Sequence, residues 1–268
     1  MVMTFATRVA AGPALLAIVV AALAGEGPVG LSAEQKLRAD RLISVFENGT
    51  IDIQYGYAEA LNDGRGITFG RAGFTTATGD GYELVKRYTA VVPANPLARY
   101  LDRLEVLARE QSGKTEGLDG FIKAVRQSAR DPRFRAVQDA LTDELYYQPA
   151  AKSAAQLGLK TALARTLVYD TLLMHGDGDD PDGLPALLER ASKAVGGTPA
   201  TGVDEATWFS AFLRVRRSTL EHAHDPATRK AWAEAAGRVD VFRTLAEKGN
   251  WDLRGPIIVT GEYEARIP

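Results

Sequence analysis

The 268-residue chain contains no cysteine, so disulfide frameworks, thiolate metal sites and thiol catalysis are all excluded. Histidine is nearly absent, with only His175, His222 and His224. The last two stand two positions apart and diverge on a helix, which argues against a zinc site. There is no surplus of either charge: 32 basic residues face 34 acidic ones, without the basic excess of a polyanion binder. No Walker loop, dinucleotide fingerprint or GxSxG elbow occurs. The segment Asp177–Leu188 begins like a calcium loop. Pro181 occupies its fifth place and Leu188 its twelfth, where a carboxylate belongs, which argues against calcium.

Long apolar runs are also missing beyond the first 24 residues. Those read as a secretory signal: Arg8, then Val9 to Ala24, ending in Ala22-Leu23-Ala24, a small-x-small cleavage pattern. The run is shorter than a membrane span needs. The chain is therefore expected to be exported and extracellular, with no membrane attachment after cleavage. A short lead over 25–31 and a two-lobed domain over 32–268 follow.

What is present is mostly helical. Ser32 and Gln35 form a capping-box pattern, Ala39, Leu42, Ile43 and Phe46 recur at helical spacing, and Asn48-Gly49 stops the helix. Residues 61–79 are rich in Gly and Thr and read as short strands and tight turns. From Asp80 onward helical periods fill roughly 80–90, 97–110, 117–129, 132–146, 157–175, 183–195, 204–222 and 226–248. Prolines 93, 96, 149, 181 and 199 mark the gaps. A mainly α (α+β) domain with one small sheet is expected, folded as two lobes around a cleft.

Two carboxylates stand in contrasting contexts. Glu47 continues the Ala39–Ile43 stripe into the last helical turn, where apolar surroundings and the helix C-terminus disfavour its anion. Asp63 lies in Asn62-Asp63-Gly64-Arg65-Gly66, where a guanidinium and free turn amides favour the anion. Such a pair suits the acid and base of glycoside hydrolysis. The same residues also suit a plain helix end and a plain turn. Thr68 alternates with Ile67 and Phe69, so its hydroxyl is expected to face a cleft and hold a water.

Local charge suggests a substrate. From Glu47 to Glu83 there are six acids against two arginines, and from Asp170 to Asp182 five acids and no Lys or Arg. Facing one another, these segments would make a groove that steers a polycation. Leu163, Thr166, Leu167, Asp170 and Met174 form one stripe, and Phe209, Phe212, Leu213, Arg216 and Leu220 another. Each holds a single charge, so Asp170 and Arg216 are expected to pair between core helices. Trp208, Trp232, Trp251 and the Tyr146-Tyr147 pair read as core rather than sugar platforms.

Several stretches carry a family resemblance. They are Phe46-Glu47-Asn48-Gly49-Thr50, Gln54-Tyr55-Gly56-Tyr57, the run from Asp63 through Ile67-Thr68-Phe69-Gly70-Arg71 to Asp80, Leu145 to Ala150, His175 to Asp182, and Ala223-His224-Asp225. In order and over nearly the whole mature chain, these resemble bacterial chitosanases of glycoside hydrolase family 46. The resemblance implies a lysozyme-like fold and a single-displacement, inverting mechanism on chitosan and its oligomers, without cofactor or metal and without nucleic acid as a partner. It implies Glu47 as acid, Asp63 as base and Thr68 as the residue placing the water. Arg65 then stands beside the base and Asp80 binds an amino sugar, while Tyr57, His175 and Asp225 line the cleft. It also implies an acid–arginine network that Asp80 and Arg229 extend. Ile53 stands where some members carry tryptophan, and two residues fewer separate acid from base. A monomer is expected. Rival readings are a muramidase acting on peptidoglycan and a non-catalytic amino-sugar-binding protein.

Overall fold

The computed structural model describes residues 30–268 except 227; the segment 1–24, expected to be a secretory signal, lies outside the described residues. Ser32 caps the first helix α1 (Ala33–Asn48) by accepting from the Gln35 amide at 3.2 Å, and the Gln35 side chain accepts from the Ser32 amide at 3.0 Å. Gly49 ends α1 at φ 67°, a left-handed conformation that glycine adopts without strain. A three-stranded antiparallel sheet follows: β1 (Ala58–Ala60), β2 (Ile67–Phe69) and β3 (Phe74–Thr75), with β2 central. Helices α2 (Asp80–Val91), α3 (Leu101–Glu110), α4 (Phe121–Ser128) and α5 (Pro132–Thr142) complete the first lobe. Its core joins Phe69, Phe74, Tyr88, Phe121 and Phe134. Phe69 and Tyr100 both meet Phe121 edge-on, at 5.0 and 5.2 Å between ring centres.

The chain returns through a π-helical turn, Asp143–Tyr147, that joins α5 to α6 (Gln148–Gln156). Pro149 explains the widening: it has no amide to give, and its ring would strike the carbonyl four residues back in a regular α-helix. The second lobe holds α7 (Ala162–His175), α8 (Leu184–Val195), α9 (Glu205–Glu221), α10 (Arg229–Glu234), α11 (Gly237–Glu247) and the hairpin β4 (Ile257–Val259)–β5 (Ala265–Ile267). α1 belongs to this lobe's core through Ala39, Leu42, Ile43 and Phe46. The N-terminal helix therefore starts in one lobe before the chain crosses to the other and comes back. Among the described residues no helix is long and apolar enough to cross a membrane.

The mainly helical, two-lobed expectation holds, with local differences. Pro149 lies within the continuous helical run from α5 through the π-turn into α6, so it widens a helix where a gap was expected. The single helix expected over 226–248 is broken at Ala235-Ala236 into α10 and α11. The C-terminal hairpin was not anticipated because each of its strands has only three residues.

Candidate active site

Between the lobes lies a cleft of about 500 Å³. From α1 it receives Asp40, Ile43, Ser44 and Glu47, and from the sheet and its approach Tyr57, Arg65, Thr68 and Arg71. Spacings of three, four and seven put the four α1 residues on one face. Exposure, and not spacing, corrects one expectation. Glu47 follows Ile43 by four residues and Ser44 by three and so ends both rows, but its side chain is 39% exposed and Arg238 Nη2 meets Glu47 Oε1 at 2.9 Å. The surroundings expected to desolvate Glu47 are thus replaced by a guanidinium.

Arg238 continues inward. Its Nη1 lies 3.3 Å from Asp170 Oδ1, while Asp170 Oδ2 meets Arg216 Nη1 at 2.5 Å, a charge–charge contact and not a well-aligned hydrogen bond. Asp170 and Arg216 are both fully buried, as their lone places in apolar stripes required. The expected extension through Arg229 is corrected: Arg229 donates instead to the carbonyls of Ala223 and His224. Arg238 takes the role and was missed, although the available signal is the same one. It stands in a helical stripe with Val241, Phe242 and Leu245, and all four are buried.

Asp63 sits opposite in chemistry. It accepts from the Arg65 guanidinium at 2.9 and 2.7 Å and from the Arg65 amide at 3.0 Å. The guanidinium hydrogen bonds hold its carboxyl below the usual carboxylate range. Thr68 is buried on the central strand and lines the cleft; its hydroxyl has no hydrogen-bond partner. A buried hydroxyl without a protein partner is a place for water.

The other expected residues divide. Tyr57 lines the cleft and donates to Glu59 Oε2 at 3.2 Å. Asp80 caps the sheet-to-α2 turn, accepting from the amides of Thr75 and Gly81 and from the Thr78 hydroxyl. Burial raises the Tyr146 phenol, with Asp80 and Asp177 adding to the rise and Arg65 opposing it, so both acidic segments come within electrostatic reach of this side chain. His175 is corrected. It is 7% exposed and does not line the central cleft; Nδ1 meets the Asp182 carbonyl at 2.9 Å, and Nε2 accepts from Arg216 Nε at 3.4 Å. Asp225 is exposed outside the central cleft, and its carbonyl accepts from Thr228. Trp232, expected in the core, instead lines the cleft with its ring 4.6 Å from that of His175.

Comparison with known proteins agrees with this architecture. The family description "Glycosyl hydrolase family 46" matches residues 41–257. A chitosanase of Bacillus subtilis (strain 168) is 53% identical over 235 residues, covering 87% of this chain and 85% of the relative. A chitosanase of Streptomyces sp. (strain N174) is 38% identical over 224 residues, covering 82% and 76%. Among solved structures, the native chitosanase of Bacillus subtilis MY002 superposes with a TM-score of 0.83 at 52% identity, covering 89% of this chain and all of that one. A Gynuella sunshinyii chitosanase complexed with chitotetraose gives 0.81 at 46% identity, covering 89% and 99%. The chain belongs to glycosyl hydrolase family 46.

Proposed function

We propose that this protein is a secreted, monomeric endo-chitosanase that cuts β-1,4 bonds of chitosan with inversion. Relatives named as chitosanases support the substrate class, as does a mutant Bacillus subtilis MY002 enzyme complexed with 6 GlcN. The observation that carries the chemistry is the unpartnered, buried Thr68 hydroxyl, in the same cleft as Glu47 and Arg65. Water held by Thr68 gives a proton to Asp63 while its oxygen bonds to the anomeric carbon. The bond from that carbon to the leaving oxygen breaks as Glu47 delivers its proton there. Glu47 is left as an anion with the Arg238 guanidinium already 2.9 Å away. Exchange with solvent returns both carboxyls to their starting states. The acid-rich segments at Asp80 and Asp177 attract the ammonium groups of the polymer. Tyr57 contacts the sugars in the central cleft, and Asp80 and the exposed Asp225 meet the polymer where it runs beyond that cleft.

Glu47→Gln and Asp63→Asn are each expected to lower kcat on a glucosamine hexamer by ~10²–10⁴-fold while melting temperature stays near wild type. Time-resolved proton NMR of the digest should show the α-anomer first, since a single displacement at a β-linkage inverts the centre. An early β-anomer rules out this assignment, and so does full turnover by purified Glu47→Gln protein. Incubation with bacterial cell walls should release nothing. N-terminal sequencing of protein collected from culture medium should begin after Ala24.

A further inference from the structure

The acid and the base of this site stand on different lobes, because Glu47 ends α1 in one core and Asp63 precedes β2 in the other. Inversion requires a gap of ~6.5–9.5 Å between the two carboxyls, so something must set the spacing. A charge cluster at the floor of the cleft joins the elements that carry them. Arg71, just after β2, has a side chain 7% exposed and reaches Asp40 Oδ1 on α1 at 3.1 Å; Asp40 is 9% exposed. Arg71 also pairs with Asp139 on α5, and its own amide donates to Gln138 Oε1 at 2.8 Å. Asp40 in turn accepts from Lys36 at 2.9 Å and from the Tyr169 hydroxyl at 3.2 Å. Lys36 spans to Asp143 in the π-turn at 2.8 Å. α1, the β2–β3 turn, α5, the π-turn and α7 therefore meet at one pair of buried ions.

We infer that the Asp40–Arg71 pair is the pin that sets the separation of Glu47 and Asp63, and that both residues are positioning residues for hydrolysis. Asp40 lies seven residues before Glu47, on the same face of α1. Arg71 lies three residues after Thr68 and eight after Asp63. A shift at the pin therefore passes directly to both ends of the reacting geometry, through one helix and one short hairpin. An apolar contact at the same place would fill the space without fixing an angle. A forked guanidinium between two carboxylates fixes both distance and direction.

The inference rests on the chitosanase reading above, and one set of variants separates the two. Asp40→Asn, Arg71→Lys and the double variant Asp40→Leu/Arg71→Met are compared with wild type on a glucosamine hexamer. The double variant replaces the ion pair by apolar side chains, an exchange that buried pairs often tolerate without loss of stability. All three should lose about 10–100-fold in kcat, with KM within about twofold, because misplacement acts on the transition state and not on substrate binding. Wild-type kcat in any folded member of the set overturns the pin. A rise in KM at unchanged kcat also overturns it, because it would make Arg71 a subsite residue. A wild-type protein that releases no oligomers from chitosan defeats the underlying reading instead.

Discussion

The two candidate catalytic carboxyls are held by opposite means. Glu47 is positioned by a chain of charges through four helices: Arg238 on α11, Asp170 on α7 and Arg216 on α9, behind its own place on α1. Asp63 is positioned by one residue two places along its own turn, with Asp63 31% and Arg65 53% exposed. The place of Glu47 is therefore a property of the packed lobe, and the place of Asp63 a property of five consecutive residues. The first arrangement is rigid and costly to disturb. The second is open to solvent, where water can compete with Arg65 for Asp63.

Stability should expose this contrast most sharply. Asp170→Ala removes the carboxylate between two arginines that are 0% and 3% exposed, leaving both cations buried. The expected cost is about 3–5 kcal/mol in denaturant unfolding. Arg65→Ala breaks a solvent-screened pair and should cost about 0–1 kcal/mol. A small loss at Asp170, matching that at Arg65, would erase the distinction between a buried relay and a rim contact.

The same contrast governs what was legible in the sequence. The setting of Asp63 could be read locally, since Asn62-Asp63-Gly64-Arg65-Gly66 sets the turn and its cation in one stretch. The helix that carries Glu47 could be read too, from its cap and its Gly49 stop. Its immediate surroundings could not, because Ala39–Ile43 and Asp40–Ser44 are adjacent stripes and Glu47 fits the end of either. Asp170 and Arg216 betrayed themselves as lone charges among apolar neighbours. Arg238 had the same signature but stood within a helical window too long by one break. His175 was misplaced for another reason: residues beside a cleft in sequence can face its back, and only packing against Trp232 and Arg216 decides which. The π-turn is a tertiary result of Pro149 and the lobe crossing, which hydrophobic period does not register.

Acid should find the buried side before the rim. Burial pushes the His175 imidazole down from 6.5 to about 3, with Arg216 adding to the effect. Below pH 6.5 the unfolded chain takes up a proton that the native state refuses, so stability is full above that pH and falls as pH drops toward 3. The loss should reach about 3 kcal/mol by about pH 4. In His175→Asn the melting temperature should fall less steeply over that range. An unchanged slope would mean that other groups carry the acid sensitivity.

The mildest test concerns the rim alone. Arg65 holds the Asp63 carboxyl below its ordinary range through two guanidinium hydrogen bonds, so Asp63 stays ionised further into acid than a free carboxylate does. As pH falls through that lowered value the base protonates and kcat/KM declines. Arg65→Ala should move this acidic limb to higher pH, toward the position of an unassisted aspartate, with little change in melting temperature. The ammonium groups of the substrate titrate identically against both proteins, so they cancel from the difference. Because kcat/KM reports the free enzyme, a limb that stays in place would show that the Arg65 contact does not set the acidity of Asp63 before substrate binds. The local turn would then supply position without tuning acidity.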